Sequence, residues 1–96
     1  MKLKNIEVIK KFLNNNRAES HTGNLRTDGT ALTNYRTTIA YWHEGYLFIN
    51  RSKYSVTTSK IQTYLVREAG YTGVVTIEVT GLGIGSKLIE IARNYK

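Results

Sequence analysis

TNYRTTIAYWHEGYLFIN, residues 33–50, decides the fold. Threonine, tyrosine, isoleucine and tryptophan dominate residues 33–42, and these side chains fit a pleated sheet. Tyr35, Thr37, Ile39 and Tyr41 alternate with Arg36, Thr38, Ala40 and Trp42, so each set takes one face of a strand. His43-Glu44-Gly45 reads as a tight turn, and Tyr46–Asn50 as the return strand with Leu47 and Ile49 on one side. Upstream, Leu25–Thr27 run into Asp28-Gly29, a hairpin turn pair. The expectation is a three-stranded antiparallel meander.

Helices flank it. Leu3, Ile6, Ile9, Phe12 and Leu13 recur at helical spacing, with Lys2, Lys4, Lys10 and Lys11 on other faces. Asn14, Asn15 and Asn16 end that helix, since asparagine tolerates a left-handed cap. After the meander, KYSVTTSKIQTYL (53–65) opens a second helix. Ser59 and Gln62 match the capping box, with Thr57 or Thr58 as other caps, and Gly70 stops the helix. Ile61, Leu65 and Ala69 line its buried face. Gly73–Val79 alternate as a half-buried strand. The glycine loop 81–85 then leads to KLIEIA, read as a short closing helix with a strand as the other choice. The fold class is therefore α+β: N-terminal helix, three-stranded antiparallel meander, second helix, one further strand and a short C-terminal helix, a single layer of sheet packed by helices.

With 96 residues the chain makes one domain, residues 1–96. It carries 14 Lys and Arg against 7 Asp and Glu, a net charge of +7, which favours a polyanionic partner. Cysteine is absent, so neither a disulfide framework nor a thiolate metal site is open to it. No apolar run is long enough to span a bilayer, so no membrane association is expected and the protein should stay soluble in the cell that makes it.

Catalysis finds no support. His21 and His43 fall in loops, and His43 and Glu44 are sequence neighbours whose side chains diverge. The seven carboxylates are scattered, with no pair spaced to share a metal. The expectation is no enzyme, no cofactor and no metal. The glycine loop reads G-x-G-x-G, neither the dinucleotide fingerprint nor a phosphate loop with its Gly-Lys-Ser/Thr end, and a flexible connection accounts for it.

Aromatic and basic residues interleave on or beside the hairpin: Arg36, Tyr41, Trp42, Tyr46, Arg51, Lys53 and Tyr54. Sheet-borne rings stack on unpaired bases while cations neutralise phosphates. The helix start adds unpaired N–H groups and a partial positive charge. Lys53, Thr57, Thr58, Ser59 and Lys60 therefore form the candidate phosphate-facing cluster, adjoined by Arg36, Arg51 and Tyr54.

LRTDGTALTNY, followed by TTIA and then INRSKYSVTTSKIQTYL, resembles a group of small bacteriophage-encoded domains of unknown function. Their shared core is a hairpin leading into a Lys-Tyr-Ser-x-Thr-Thr-Ser-x-x-Gln helix start, and the likeness covers about half the chain, residues 22–66. It implies a phage protein acting in the cytoplasm of an infected bacterium and supplies no activity. The order helix, meander, helix is also similar to that of double-stranded RNA-binding domains, which cluster lysines where this chain has Thr57-Thr58-Ser59-Lys60. The leading expectation is a small phage accessory protein that binds nucleic acid mainly through phosphates. The alternative is a module that docks on a host polymerase or defence component, with Trp42 and Tyr46 as its hot spots. A nucleotide-binding role for the two helix starts is a third reading, and a homodimer is open.

Overall fold

Backbone pairing begins at the two-residue connection Glu44-Gly45. Both residues take positive φ, +53° and +82°, the backbone that a right-twisted hairpin requires. Around it the computed structural model describes residues 3–95. In chain order these form α1 (Asn5–Leu13), β1 (Ala18–Glu19), β2 (Leu25–Thr27), β3 (Ala31–Asn34), β4 (Thr37–His43), β5 (Tyr46–Asn50), α2 (Val56–Thr72), β6 (Thr76–Val79) and α3 (Lys87–Arg93). One six-stranded sheet has the order β1-β2-β3-β4-β5-β6. Strands β1 to β5 run antiparallel, and β6 pairs parallel to β5 after the α2 crossover. The α+β class stands. Six strands replace the expected three plus one.

The main departure is a break in residues 33–42. Tyr35 adopts φ +56°, and its N–H donates to the Asn24 carbonyl at 2.8 Å, outside any ladder. Asn34 and Thr37 pair across it, which divides the expected strand into β3 and β4. A second departure follows. Leu32 pairs with Ala40 but Thr33 with Thr38, so β4 holds one residue more than β3 there, a bulge. The bulge puts neighbouring residues Ile39 and Ala40 in the same core, while Tyr41 turns to the other side of the sheet.

Helices cover both faces. Val8, Ile9 and Phe12 of α1 and Ile61, Leu65 and Ala69 of α2 pack on Leu25, Leu32, Ile39, Ala40, Leu47 and Ile49. On the opposite face Leu88 and Ala92 of α3 meet Phe48, with Tyr41, Ile77, Val79 and Leu82 around them. KLIEIA is therefore helical. Helix α1 starts at Asn5 rather than Leu3, which makes an isolated parallel bridge to Ser20. Lys2 lies outside the described residues. Helix α2 passes through Gly70 and stops at Gly73, whose φ of +72° makes the left-handed cap. Among the described residues no helix is long and apolar enough to cross a membrane.

The β2–β3 turn anchors the end of α1. The N–H groups of Ala31 and Thr30 donate to Asp28 Oδ1 at 2.9 and 2.8 Å and hold its carboxyl below the usual carboxylate range. Asn15, left-handed at φ +59°, donates from Nδ2 to the Gly29 carbonyl. Gly29 has φ +99°, and a Cβ there would stand 2.7 Å from the Asn15 carbonyl oxygen. Gly29→Ala therefore adds backbone strain to a clash with backbone that has nowhere to go. It is expected to cost about 1–3 kcal/mol in urea unfolding.

Candidate nucleic-acid interface

The segment 50–62 joins β5 to α2 through a chain of side-chain hydrogen bonds. Asn50 Nδ2 donates to the Thr38 carbonyl at 3.1 Å and to the Tyr54 hydroxyl at 2.9 Å. That hydroxyl donates to the Gly83 carbonyl at 2.8 Å. Ser52 Oγ accepts the Leu82 N–H at 2.7 Å. Gln62 Nε2 donates to the carbonyls of Asn50 and Ser52 at 2.6 and 2.9 Å. Ser55 caps α2, its Oγ accepting the Thr58 N–H at 3.3 Å. Thr58 Oγ1 then donates to Asn34 Oδ1 at 2.9 Å. Through these bonds the β3–β4 turn, the start of α2 and the glycine loop are held at one end of the molecule.

The seam revises the reading of the motif. Ser59 does not cap and Gln62 makes no capping box: the helix begins one turn earlier, and Gln62 points inward because two buried carbonyls need its donors. Tyr54, Ser55, Thr58 and Gln62 all have partners within the fold. Thr58 is buried. So the hydroxyls of Tyr54 and Thr58 are engaged, whereas Lys53, Thr57, Ser59 and Lys60 face solvent. Arg36 is exposed on the β3–β4 turn. Arg51 is exposed and pairs with Glu78 of β6, Nε to Oε1 3.4 Å.

Two depressions flank the helix start. A cleft of about 540 Å³ has Asn34, Tyr54 and Thr58 in its wall, Arg36 beside them, and Tyr35 and Ile84 at its rim. Those two rim residues are 56 % and 75 % exposed, so they are apolar surface offered to solvent. A shallower groove of about 310 Å³ runs along the outside of α2 past Ser59, Lys60, Tyr64 and Arg67. The structure thus groups Arg36, Tyr54 and Thr58 on one side of the helix start and Ser59 and Lys60 on the other. Adjacent positions on a helix diverge by about 100°, which separates Thr58 from Ser59.

The hairpin's aromatic face is not where the sequence places it. Trp42 is half-buried, its indole N–H donating to the Phe12 carbonyl at 3.1 Å and its ring 6.0 Å from Phe12. Tyr41 packs in the α3 core. Tyr46 is exposed but pairs with His43 beside the Glu44-Gly45 turn, at the far end of β5 from Lys53. Sequence reasoning instead missed Tyr35, Ile84, Tyr64, Arg67 and Tyr71. Spacing along α2 could have found the last three.

Cations outnumber carboxylates around the helix start, where Glu78 is the acidic group in contact, paired with Arg51. Residues 45–67 contain Arg51, Lys53, Lys60 and Arg67 and no carboxylate. Residues 29–43 contain Arg36 alone, and residues 79–89 Lys87 alone, as charged groups. The first turn of α2 has no acidic residue, so the positive end of its dipole is uncompensated. Among the described residues no group of three or more His, Asp or Glu could hold a metal ion. In comparison with known proteins, no family model, no curated protein and no solved structure matches the chain.

Proposed function

We propose that this chain binds nucleic acid, chiefly through phosphates, as a small accessory protein of a bacteriophage acting in the cytoplasm of its bacterial host. The phage assignment rests on the sequence resemblance alone. Binding rests on one observation: a solvent-facing helix start that carries Lys53, Thr57, Ser59 and Lys60, has Arg36 in the cleft on its other side, and has no acidic residue in its first turn. Phosphate oxygens there would meet N–H groups, hydroxyls and full cations together. Tyr54 and Thr58 would act by holding the helix start in place. The role is one of binding, with no catalytic step.

Anisotropy titration of a labelled oligonucleotide over a range of salt tests this. Affinity should fall steeply as salt rises. Lys53→Ala with Lys60→Ala should flatten the log–log slope by about 1.4–1.8, the counterions of two phosphates. Absence of binding even at low salt would sink the reading.

A second reading, docking on a host protein, has a different surface in its favour. Tyr46, Val75 and Tyr95 are exposed around a depression of about 380 Å³ at the other end of β5. A stoichiometric partner that survives nuclease treatment and is released by Tyr46→Ala would favour it.

A further inference from the structure

The solvent side of α2 carries a pattern beyond its start. Lys60, Tyr64, Arg67 and Tyr71 are spaced by four, three and four residues. At 100° per residue they fall within an arc of roughly 60°, and the line from Lys60 to Tyr71 is about 16 Å long. Ile61, Leu65 and Ala69, the buried face, lie away from it. Tyr64 is 40 % and Tyr71 78 % exposed. The Arg67 guanidinium lies over the Tyr64 ring, 5.7 Å from its centroid, so cation and ring form one stacked unit on which a base can add at the guanidinium plane. The only carboxylate of α2, Glu68, is mostly buried and lies 4.0 Å from Lys10 of α1, off the ridge.

We infer that this ridge is a stacking platform for single-stranded nucleic acid, with Tyr64 and Tyr71 receiving bases and Lys60 and Arg67 the phosphates between them. The inference rests on the proposed nucleic-acid binding and specifies its substrate. Alternating cations and rings complement alternating phosphates and bases. Tyrosine faces need base faces, and only an unpaired strand offers them, whereas a duplex presents phosphates and base edges. Lys60 belongs to both the helix-start cluster and the ridge, so one strand could continue from the first to the second.

The test compares a labelled oligothymidylate, an oligouridylate and a blunt duplex of equal length by anisotropy at low salt, using the intact chain. Single strands should bind more tightly than the duplex. Tyr64→Ala with Tyr71→Ala should weaken single-strand binding by about tenfold for each ring and leave duplex binding unchanged. Tyr64→Phe with Tyr71→Phe should keep it, because the ring and not the hydroxyl stacks. Both sites are exposed and alanine favours helix, so the variants should melt like the parent. Equal binding of duplex and single strand, or an alanine pair that binds single strands as the parent does, overturns the platform while salt-dependent phosphate binding stands. Failure to bind any of the three overturns both. The two single-stranded probes tell DNA preference from RNA preference.

Discussion

Phe48→Ala is expected to lower the unfolding free energy by about 3–5 kcal/mol, a large part of the roughly 5–15 kcal/mol available to a domain of this kind. The reason lies in how little holds α3. The helix has seven residues, too few to persist in water without packing. It buries Leu88 and Ala92, and Phe48 is the one fully buried ring they rest on. Tyr95 meets Phe48 edge-on at 5.2 Å and His43 does so at 6.4 Å, so the ring also links the chain end to the β4–β5 hairpin. Its removal leaves a cavity that a short helix cannot close by shifting. Urea unfolding should give the loss. Amide hydrogen exchange should show residues 87–93 opening first, while α1 and α2, packed on the other face, keep their protection. Uniform protection loss in all three helices would mean that the two faces do not behave as separate cores.

The elements legible in the sequence are those whose signal is local. The apolar spacing of α1, the Glu44-Gly45 turn and the Ile61–Leu65–Ala69 face of α2 each lie within one stretch of chain, and each appears in the fold. What escaped depends on distant partners. Nothing in the residue type marks Tyr35 as left-handed, because its backbone is set by Asn24, eleven positions upstream. The sequence alone puts the helix start one turn late because Ser55 and Ser59 both precede a polar residue at the third following position, and the choice between them is made by Asn34 and Asn50. Likewise the hydroxyl-rich run divides into inward and outward halves only once the glycine loop, nearly thirty residues later, is laid over Tyr54. Of the candidate residues, Arg36, Arg51, Lys53, Thr57, Ser59 and Lys60 are exposed, Arg51 in a pair with Glu78. Tyr54 and Thr58 have the right chemistry but a partner already.

The same division predicts which substitutions damage folding and which damage binding. Gln62→Ala is expected to cost about 3–5 kcal/mol in urea unfolding, because two buried carbonyls, of Asn50 and Ser52, each lose a donor at about 1–3 kcal/mol, and the side chain leaves a void. The effect should reach beyond stability in a particular way. Gln62 fixes the path of residues 50–52, and Ser52 and Tyr54 in turn fix the glycine loop, yet none of these groups faces the proposed ligand. At a temperature where Gln62→Ala remains folded, its salt slope for an oligonucleotide should match the parent's, since the slope counts phosphates neutralised and no cation is lost. Lys53→Ala with Lys60→Ala should do the reverse, flattening the slope while leaving the urea midpoint almost unchanged, as expected for exposed lysines. If folded Gln62→Ala also flattened the slope, the seam would have to be setting the geometry of the cations themselves, and the start of α2 would be a site assembled by its buried hydrogen bonds rather than merely supported by them.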